Sequence, residues 1–420
     1  MAERSPIIII GNGAAGITAA RYLRKLGDDR ITVISAESSF HYARPGLMYA
    51  FMGQLEHRHL QPYAEDFWKT NRIDLIHDTV VKIDARGRCV ELAAGGILRF
   101  DKLLLATGSR GRRGGWDGED LQGVQRFTSM HDLDLLEQNV VGVTHAAVIG
   151  GGLTAIEVAE MLRSRNIAVT MVTRDERLAG HILPTEESDI VTRHVQRHDV
   201  ALRCSADVIR MRGGADGRVS QVDLADGTTL DAQLVVICIG VEPVTDLARD
   251  AGLDVRAGIV VNDRFETSMP DVYAAGDCAE HASGLLELSW YAAKAHGEHV
   301  ARTIHGKAQP YRRGTPFDSA KFFDVEYQSY GIVDATSFAS WTWAPSDGLR
   351  FVRIAYDART CSVVGMHALG VRLRADVCTA WIERGSHVDE VLHDIRKVCF
   401  DPELYLTPQQ LHEAAKRGRP

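Results

Sequence analysis

No two of the seven cysteines form a C-x-x-C pair, and their spacing follows no regular pattern. That excludes a disulfide framework and predicts a reducing, cytoplasmic setting in which most thiols act as small buried hydrophobes. Long apolar runs are missing too. Nothing reaches the roughly 18 consecutive apolar residues that a membrane-crossing helix needs. The N-terminal run Pro6–Ile10 stops at Gly11, too short for a signal-peptide core. The polar, mixed-charge stretch Leu406–Pro420 offers no membrane-lying anchor. Basic charge is not in excess: the net charge is −8, which gives nucleic acid no electrostatic handle. The short cluster Arg110, Arg112 and Arg113 reads as a solvated loop. What remains is an ordinary soluble composition, 45% hydrophobic and 25% charged, over 420 residues, enough for two or three domains.

The informative segments are two glycine-rich turns. Ile7–Ile10 is β-branched throughout, as a buried parallel strand would be. Gly11-Asn12-Gly13-Ala14-Ala15-Gly16 follows, then a helical run to Leu26, then a second β-branched strand Ile31–Ile34 and Glu37. In this strand, G-x-G-x-x-G, helix, strand, acid order, the glycines allow a tight turn, close approach to a pyrophosphate and close helix–strand packing. The helix N-terminus supplies free N–H groups and a positive dipole end. Glu37, 21 positions after Gly16, is placed to accept hydrogen bonds from an adenosine ribose. The pattern returns at Ala146–Ile149, with Gly150-Gly151-Gly152-Leu153-Thr154-Ala155 opening a helix and Ile167–Val172 as the next strand. Ala155 replaces the third glycine, a change the fingerprint accepts. Two such turns imply two dinucleotides, a donor and a bound redox cofactor.

With these residues in hand, the sequence resembles the two-dinucleotide flavoproteins, the pyridine nucleotide–disulfide oxidoreductase superfamily. Within it the likeness is to the ferredoxin-reductase and apoptosis-inducing-factor-like branch. Four further segments carry it: Leu103–Ser109 with Thr107 and Gly108, Val235–Gly240 followed by Val241-Glu242-Pro243, Thr267–Asp277 ending in Gly276-Asp277, and Tyr42–Leu47 with Arg44 and Pro45. The resemblance implies an α/β fold of two Rossmann-like domains plus a C-terminal α+β interface domain. The FAD domain would comprise residues 1–112 and 244–310, with the NAD(P) domain, 113–243, inserted in it and the interface domain at 311–420. It also implies FAD and NADPH or NADH as cofactors. Gly11, Gly13, Ala14, Ala15, Gly16, Glu37, Arg44, Pro45, Thr107, Gly108, Gly276 and Asp277 would hold FAD, with Asp277 on the ribitol chain. Gly150, Gly152, Leu153, Thr154, Thr173, Arg174 and Gly240 would hold NAD(P)H. A homodimer is compatible with it.

The departures narrow the chemistry. Disulfide-reducing members carry a thiol on the segment after the first acid and a His-Pro pair near the C-terminus. Here Ser38–Gly53 has no cysteine, and the nearest C-terminal match, Phe400-Asp401-Pro402-Glu403, has no histidine. Thiol chemistry is therefore not expected. What is left is hydride transfer from NAD(P)H to FAD and delivery of electrons to an acceptor: a ferredoxin, a rubredoxin, a quinone or a small molecule. Cofactors carry such chemistry and the protein positions them. Glu157 matches the family acid near nicotinamide and flavin. The lysine that usually partners it is absent, with Met48-Tyr49-Ala50 in its place, so Tyr49 is a candidate partner. Trp290 matches an aromatic beside the flavin. Thr173, where NAD-specific members carry an acid, and the following Arg174 tilt the expectation towards NADPH. His194 and His198 share the i, i+4 spacing of metal ligands but lack a third ligand in sequence, so no metal is expected. Two other readings fit parts of the pattern. A non-catalytic flavin-bound sensor would turn over poorly, and a type II NADH:quinone reductase would need an apolar C-terminal helix.

Overall fold

The computed structural model describes residues 6–400 and 407–417. Asp401-Pro402-Glu403 and the ends of the stretch Leu406–Pro420 lie outside them. By contacts the chain divides into two units. One comprises the chain up to Arg112, Thr128–Glu137 and Val241–Arg312; the other comprises Arg113–Phe127, Gln138–Gly240 and the chain from Arg313 onward.

The first unit is built on a five-stranded, all-parallel sheet. Its order is Val272–Ala274, Lys102–Leu105, Pro6–Ile10, Arg30–Ser35, Ile73–His77. Such a sheet is covered on both faces, which is why its central strand is an unbroken apolar run. The helix Ala14–Leu26 packs along Trp290–Ile304. Gly297 makes this close crossing possible, since a Cβ there would stand 2.4 Å from the Ala15 carbonyl oxygen.

The second unit repeats the plan in the order Val200–Arg203, Ala168–Val172, His145–Ile149, Leu234–Ile237, Val124–Arg126, again all parallel. Each unit also carries a three-stranded antiparallel sheet, Val80–Asp84 to Ile97–Arg99 in one and Val208–Gly213 to Thr229–Asp231 in the other. The α/β class with two Rossmann-like sheets is as the sequence implies.

To its Rossmann sheet the second unit adds a five-stranded antiparallel sheet in the order Phe317–Phe322, Val325–Gly331, Val363–Leu369, Phe351–Tyr356, Ala339–Trp343, with the helix Ala375–Glu383 packed on it. Buried charges fasten this sheet to the helix Thr185–Arg197. Arg353 donates to both Glu187 oxygens at 2.6 and 2.9 Å and to Glu186 at 2.6 Å, while His367 Nδ1 sits 3.2 Å from Glu187. Glu187 is fully buried and Arg353 nearly so, and these two charges persist only because they are paired. Glu160 makes a second tie, accepting from the Phe323 N–H at 2.9 Å and pairing with Lys321 at 3.0 Å. Among the described residues no helix is long and apolar enough to cross a membrane.

Candidate dinucleotide-binding sites

Both glycine turns have the backbone that the sequence pattern demands. Gly11 has φ +112° and its N–H donates to the Ile34 carbonyl at 2.8 Å. A Cβ on it would lie 2.1 Å from the Ala106 carbonyl oxygen, so no other residue fits. Gly150 is its counterpart, with φ +135°, an N–H bond to Val172 at 2.8 Å and a Cβ position 2.2 Å from the Cys238 carbonyl oxygen. The following helices start on Gly13 and Gly152, N-caps with no side-chain oxygen to offer. Their leading N–H groups are the ones a phosphate would satisfy. At Gly13 no atom lies within 4 Å of the point a Cβ would occupy, so the backbone there is open to a ligand. At Gly152 the His181 ring stands 3.4 Å from that point, so the second turn is narrower, but both helix starts are uncapped and fit two pyrophosphates.

Around the first turn the predicted residues converge. Glu37 accepts from Arg44 at 2.8 Å, from the Met130 N–H at 3.1 Å and from the Tyr42 hydroxyl. Arg44 also donates to the Thr128 carbonyl. The structure thus brings Arg44, expected to help hold FAD, onto the acid expected at the ribose. Burial alone would raise the Glu37 pKa, but the Arg44 charge and these hydrogen bonds lower it overall. Asp277 accepts from the Ser109 hydroxyl at 2.7 Å, and burial raises its pKa despite that bond and the Arg44 charge. Thr107 donates to the Val244 carbonyl at 2.6 Å, and Gly108 is left-handed at φ +70°. Behind Gly276 a buried chain runs from its N–H to His296 Nδ1 at 3.3 Å, on to Glu287 at 3.0 Å and to the Tyr311 hydroxyl at 3.0 Å. Pro45 is exposed, and Tyr49 lies half-buried in the short helix Leu47–Phe51.

Sequence reasoning passed over several residues here. Asn12, read only as the variable position of the fingerprint, donates to Ser38 and Phe40 carbonyls at 2.9 Å each. His41 Nδ1 sits 2.7 Å from the Asn12 carbonyl and its ring stacks on Trp290 at 6.2 Å, an aromatic that sequence did identify. Burial lowers the His41 pKa to about 4, so the ring is neutral and its Nδ1–H is the donor.

The second turn holds its residues more loosely. Leu153 is half-buried; Thr154 and Gly240 are exposed. Thr173 is buried, and its hydroxyl accepts from the Asp175 N–H at 3.2 Å. The Ser35 hydroxyl does the same for the Glu37 N–H at 3.3 Å. Since Ile34 and Val172 hold matching places, Asp175 stands where Glu37 stands in the first unit. Arg174 is highly exposed and only 3.9 Å from Asp207, and Arg177 is engaged by Asp189 and Glu176. Glu157 lies on the helix Leu153–Ser164, where burial, with Glu160 and Asp318 nearby, raises its pKa to about 7.

Comparison with known proteins agrees with this geometry. The family model for pyridine nucleotide-disulphide oxidoreductases matches residues 5–297. The chain belongs to this family. It is similar to the rubredoxin-NAD(+) reductase of Pseudomonas putida, 33% identical over 65% of this chain and 71% of that protein. It is also similar to the ferredoxin–NAD(+) reductase subunit of the benzene 1,2-dioxygenase system of Pseudomonas putida, 30% identical over 72% of this chain and 74% of that protein. A ferredoxin reductase from Rhodopseudomonas palustris superposes with a TM-score of 0.82 at 27% identity, covering 98% of this chain and all of the other. As a family member the chain is an FAD-dependent NAD(P)H oxidoreductase. The family's name includes disulphide, yet none of the seven cysteines lies on the Ser38–Gly53 segment.

Proposed function

We propose that this oxidoreductase takes hydride from NADH and hands electrons singly to a small iron-sulfur protein of the ferredoxin or rubredoxin class. The observation that carries it is the pair of uncapped glycine turns in a chain without a thiol on its flavin-side segment. Bound FAD supplies the step from two-electron to one-electron chemistry. The chain's own residues bind and orient. The N–H groups after Gly13 take one pyrophosphate, Glu37 takes the adenosine ribose, and Asp277 with Ser109 takes the hydroxyls of the flavin side chain. The N–H groups after Gly152 take the second pyrophosphate. Glu157, poised between its two protonation states near neutral pH, is assigned to the nicotinamide end, with Tyr49 and Trp290 on the flavin side.

For the donor, Thr173 and Arg174 suggest NADPH from sequence. Asp175 supports the opposite choice, because it repeats the place and backbone tie of Glu37 and would repel a 2′-phosphate. At about 5 Å and an effective dielectric near 20 that repulsion is worth roughly 3 kcal/mol per unit charge. The relatives' names specify NAD(+) as well. The test is direct. Purified protein should be yellow with FAD and should reduce a ferredoxin or rubredoxin with NADH, and a variant with all seven cysteines replaced should still do so. A colourless protein that cannot be reconstituted with FAD ends this reading.

A further inference from the structure

His194 and His198 have the spacing of metal ligands, and the fold brings the third donor that the local sequence lacks. Asp324 sits in the two-residue turn joining Phe317–Phe322 to Val325–Gly331. Its Oδ1 is 2.9 Å from His194 Nε2 and 3.2 Å from His198 Nε2. The Phe322 carbonyl oxygen lies 3.2 Å from His194 Nε2. Around a tetrahedral ion with metal–ligand bonds of 2.0–2.1 Å, neighbouring donors stand about 3.3 Å apart. The three separations here fall within a few tenths of that.

The turn is held in this arrangement against its own preference. Phe323 has φ +56°, a left-handed conformation that bulky residues avoid. It keeps this conformation while its N–H bonds to Glu160 at 2.9 Å and its ring stacks on His198 at 4.2 Å and 7°. Both tethers aim Asp324 at the end of the helix Thr185–Arg197.

We propose that His194, His198 and Asp324, with the Phe322 carbonyl, bind one divalent transition-metal ion of the zinc class. Two imidazoles favour Zn²⁺, Co²⁺ or Ni²⁺ over Mg²⁺ and Ca²⁺, which prefer oxygen-only shells. The exposed Asp324 side leaves an entry path and room for water. The ion would fasten the helix Thr185–Arg197 to the C-terminal hairpin at a point separate from the buried Arg353–Glu187 pair. Its affinity is about 10–100-fold below that of a site with a complete outer shell, because His194 Nδ1 is buried without a partner and would carry the proton once Nε2 binds metal. A second convergence, His281, Glu287 and His296, differs in kind: both His296 nitrogens are already used, by the Gly276 N–H and by Glu287.

The experiment uses untagged, FAD-loaded protein titrated with Zn²⁺ against a chromophoric chelator. One equivalent should bind saturably. His198→Gln and Asp324→Asn should each weaken it by at least about 10-fold, with NADH–ferricyanide turnover unchanged. Co²⁺ added to the unmodified protein should give visible ligand-field bands at longer wavelength than flavin absorption, which checks the site without any variant. Absence of saturable Zn²⁺ binding, binding equally tight in both variants, or a Co²⁺ spectrum of the fully hydrated ion would each overturn the proposal.

Discussion

At the first glycine turn, Asn12 ties the loop to Ser38 and Phe40, and His41 fastens the Asn12 carbonyl from the other side. At the second turn Gly151 takes the place of Asn12, and a Cβ there would stand 2.5 Å from the Thr173 hydroxyl, so nothing comparable can be built. Glu37 is surrounded by Arg44, Tyr42 and Met130, whereas Asp175 has His181 at 3.2 Å and is otherwise open. Ala155 keeps the second helix from the contact that Gly16 allows, where a Cβ would be 2.0 Å from the Gly11 carbonyl oxygen. One sheet plan thus carries a braced turn and an unbraced one. Bracing suits a cofactor that stays, since the ordering cost is met before binding; an open turn suits a donor that must leave after every turnover.

The severest way to break this comparison is to block each turn. Gly11→Ala drives a methyl into the Ala106 carbonyl, and Gly13→Val places its side chain where a Cβ meets no atom within 4 Å, in the space left for the pyrophosphate. Both variants should lose FAD, read as absorbance near 450 nm per protein. Gly150→Ala should stay yellow while kcat/KM for NADH falls by at least about 100-fold, the scale expected when reacting groups lose their alignment. If Gly150→Ala also emptied the flavin site, the two turns would not be separable functions.

A smaller effect separates the two acids. Arg44→Met leaves Glu37 half-buried without its cation. Charge-assisted hydrogen bonds are worth about 1.5–3 kcal/mol, so FAD should bind about 10–150-fold more weakly by fluorescence titration. Asp175→Asn should leave FAD affinity unchanged, lower kcat/KM for NADH about 10-fold and raise that for NADPH. Unaltered discrimination in Asp175→Asn, with Arg174→Ala abolishing NADPH use, would return the choice to the Thr173–Arg174 reading.

These residues also mark how far sequence reached. The glycines were legible because backbone conformation and close approach leave glycine no substitute, and Glu37 because its distance from Gly16 is set by one helix and one strand. The Arg44–Glu37 contact was not, because a separation of seven positions through a loop does not fix which way an arginine turns. Asp175, the acid proposed for the second ribose, drew no notice because an acid was sought at the strand end, at Thr173. Only the matched hydrogen bonds of Gly11 to Ile34 and Gly150 to Val172 put Asp175 and Glu37 in the same place. Asp324 lies 126 positions from His198, and such a meeting is decided by how the C-terminal sheet packs.

The smallest expected effect sharpens the contrast through Glu157, whose environment has no counterpart of the Arg44 beside Glu37. Its ordinary value of 4.5 is raised to about 7 by burial first and by Glu160 and Asp318 second. A raised carboxyl pKa means that the folded chain holds the proton more tightly than the unfolded chain. The stability this contributes is fully present below about pH 4.5 and is lost as pH rises through about 7. Glu157→Gln cannot ionise and escapes that loss. Its Tm should match the parent near pH 4.5 and exceed it by a few degrees at pH 8. The same substitution should flatten any inflection near pH 7 in the rate of flavin reduction by NADH, measured by stopped flow. A variant whose Tm follows the parent across the whole range would show that Glu157 is ionised at neutral pH. The acid would then act as a fixed charge near the nicotinamide rather than as a group that titrates there.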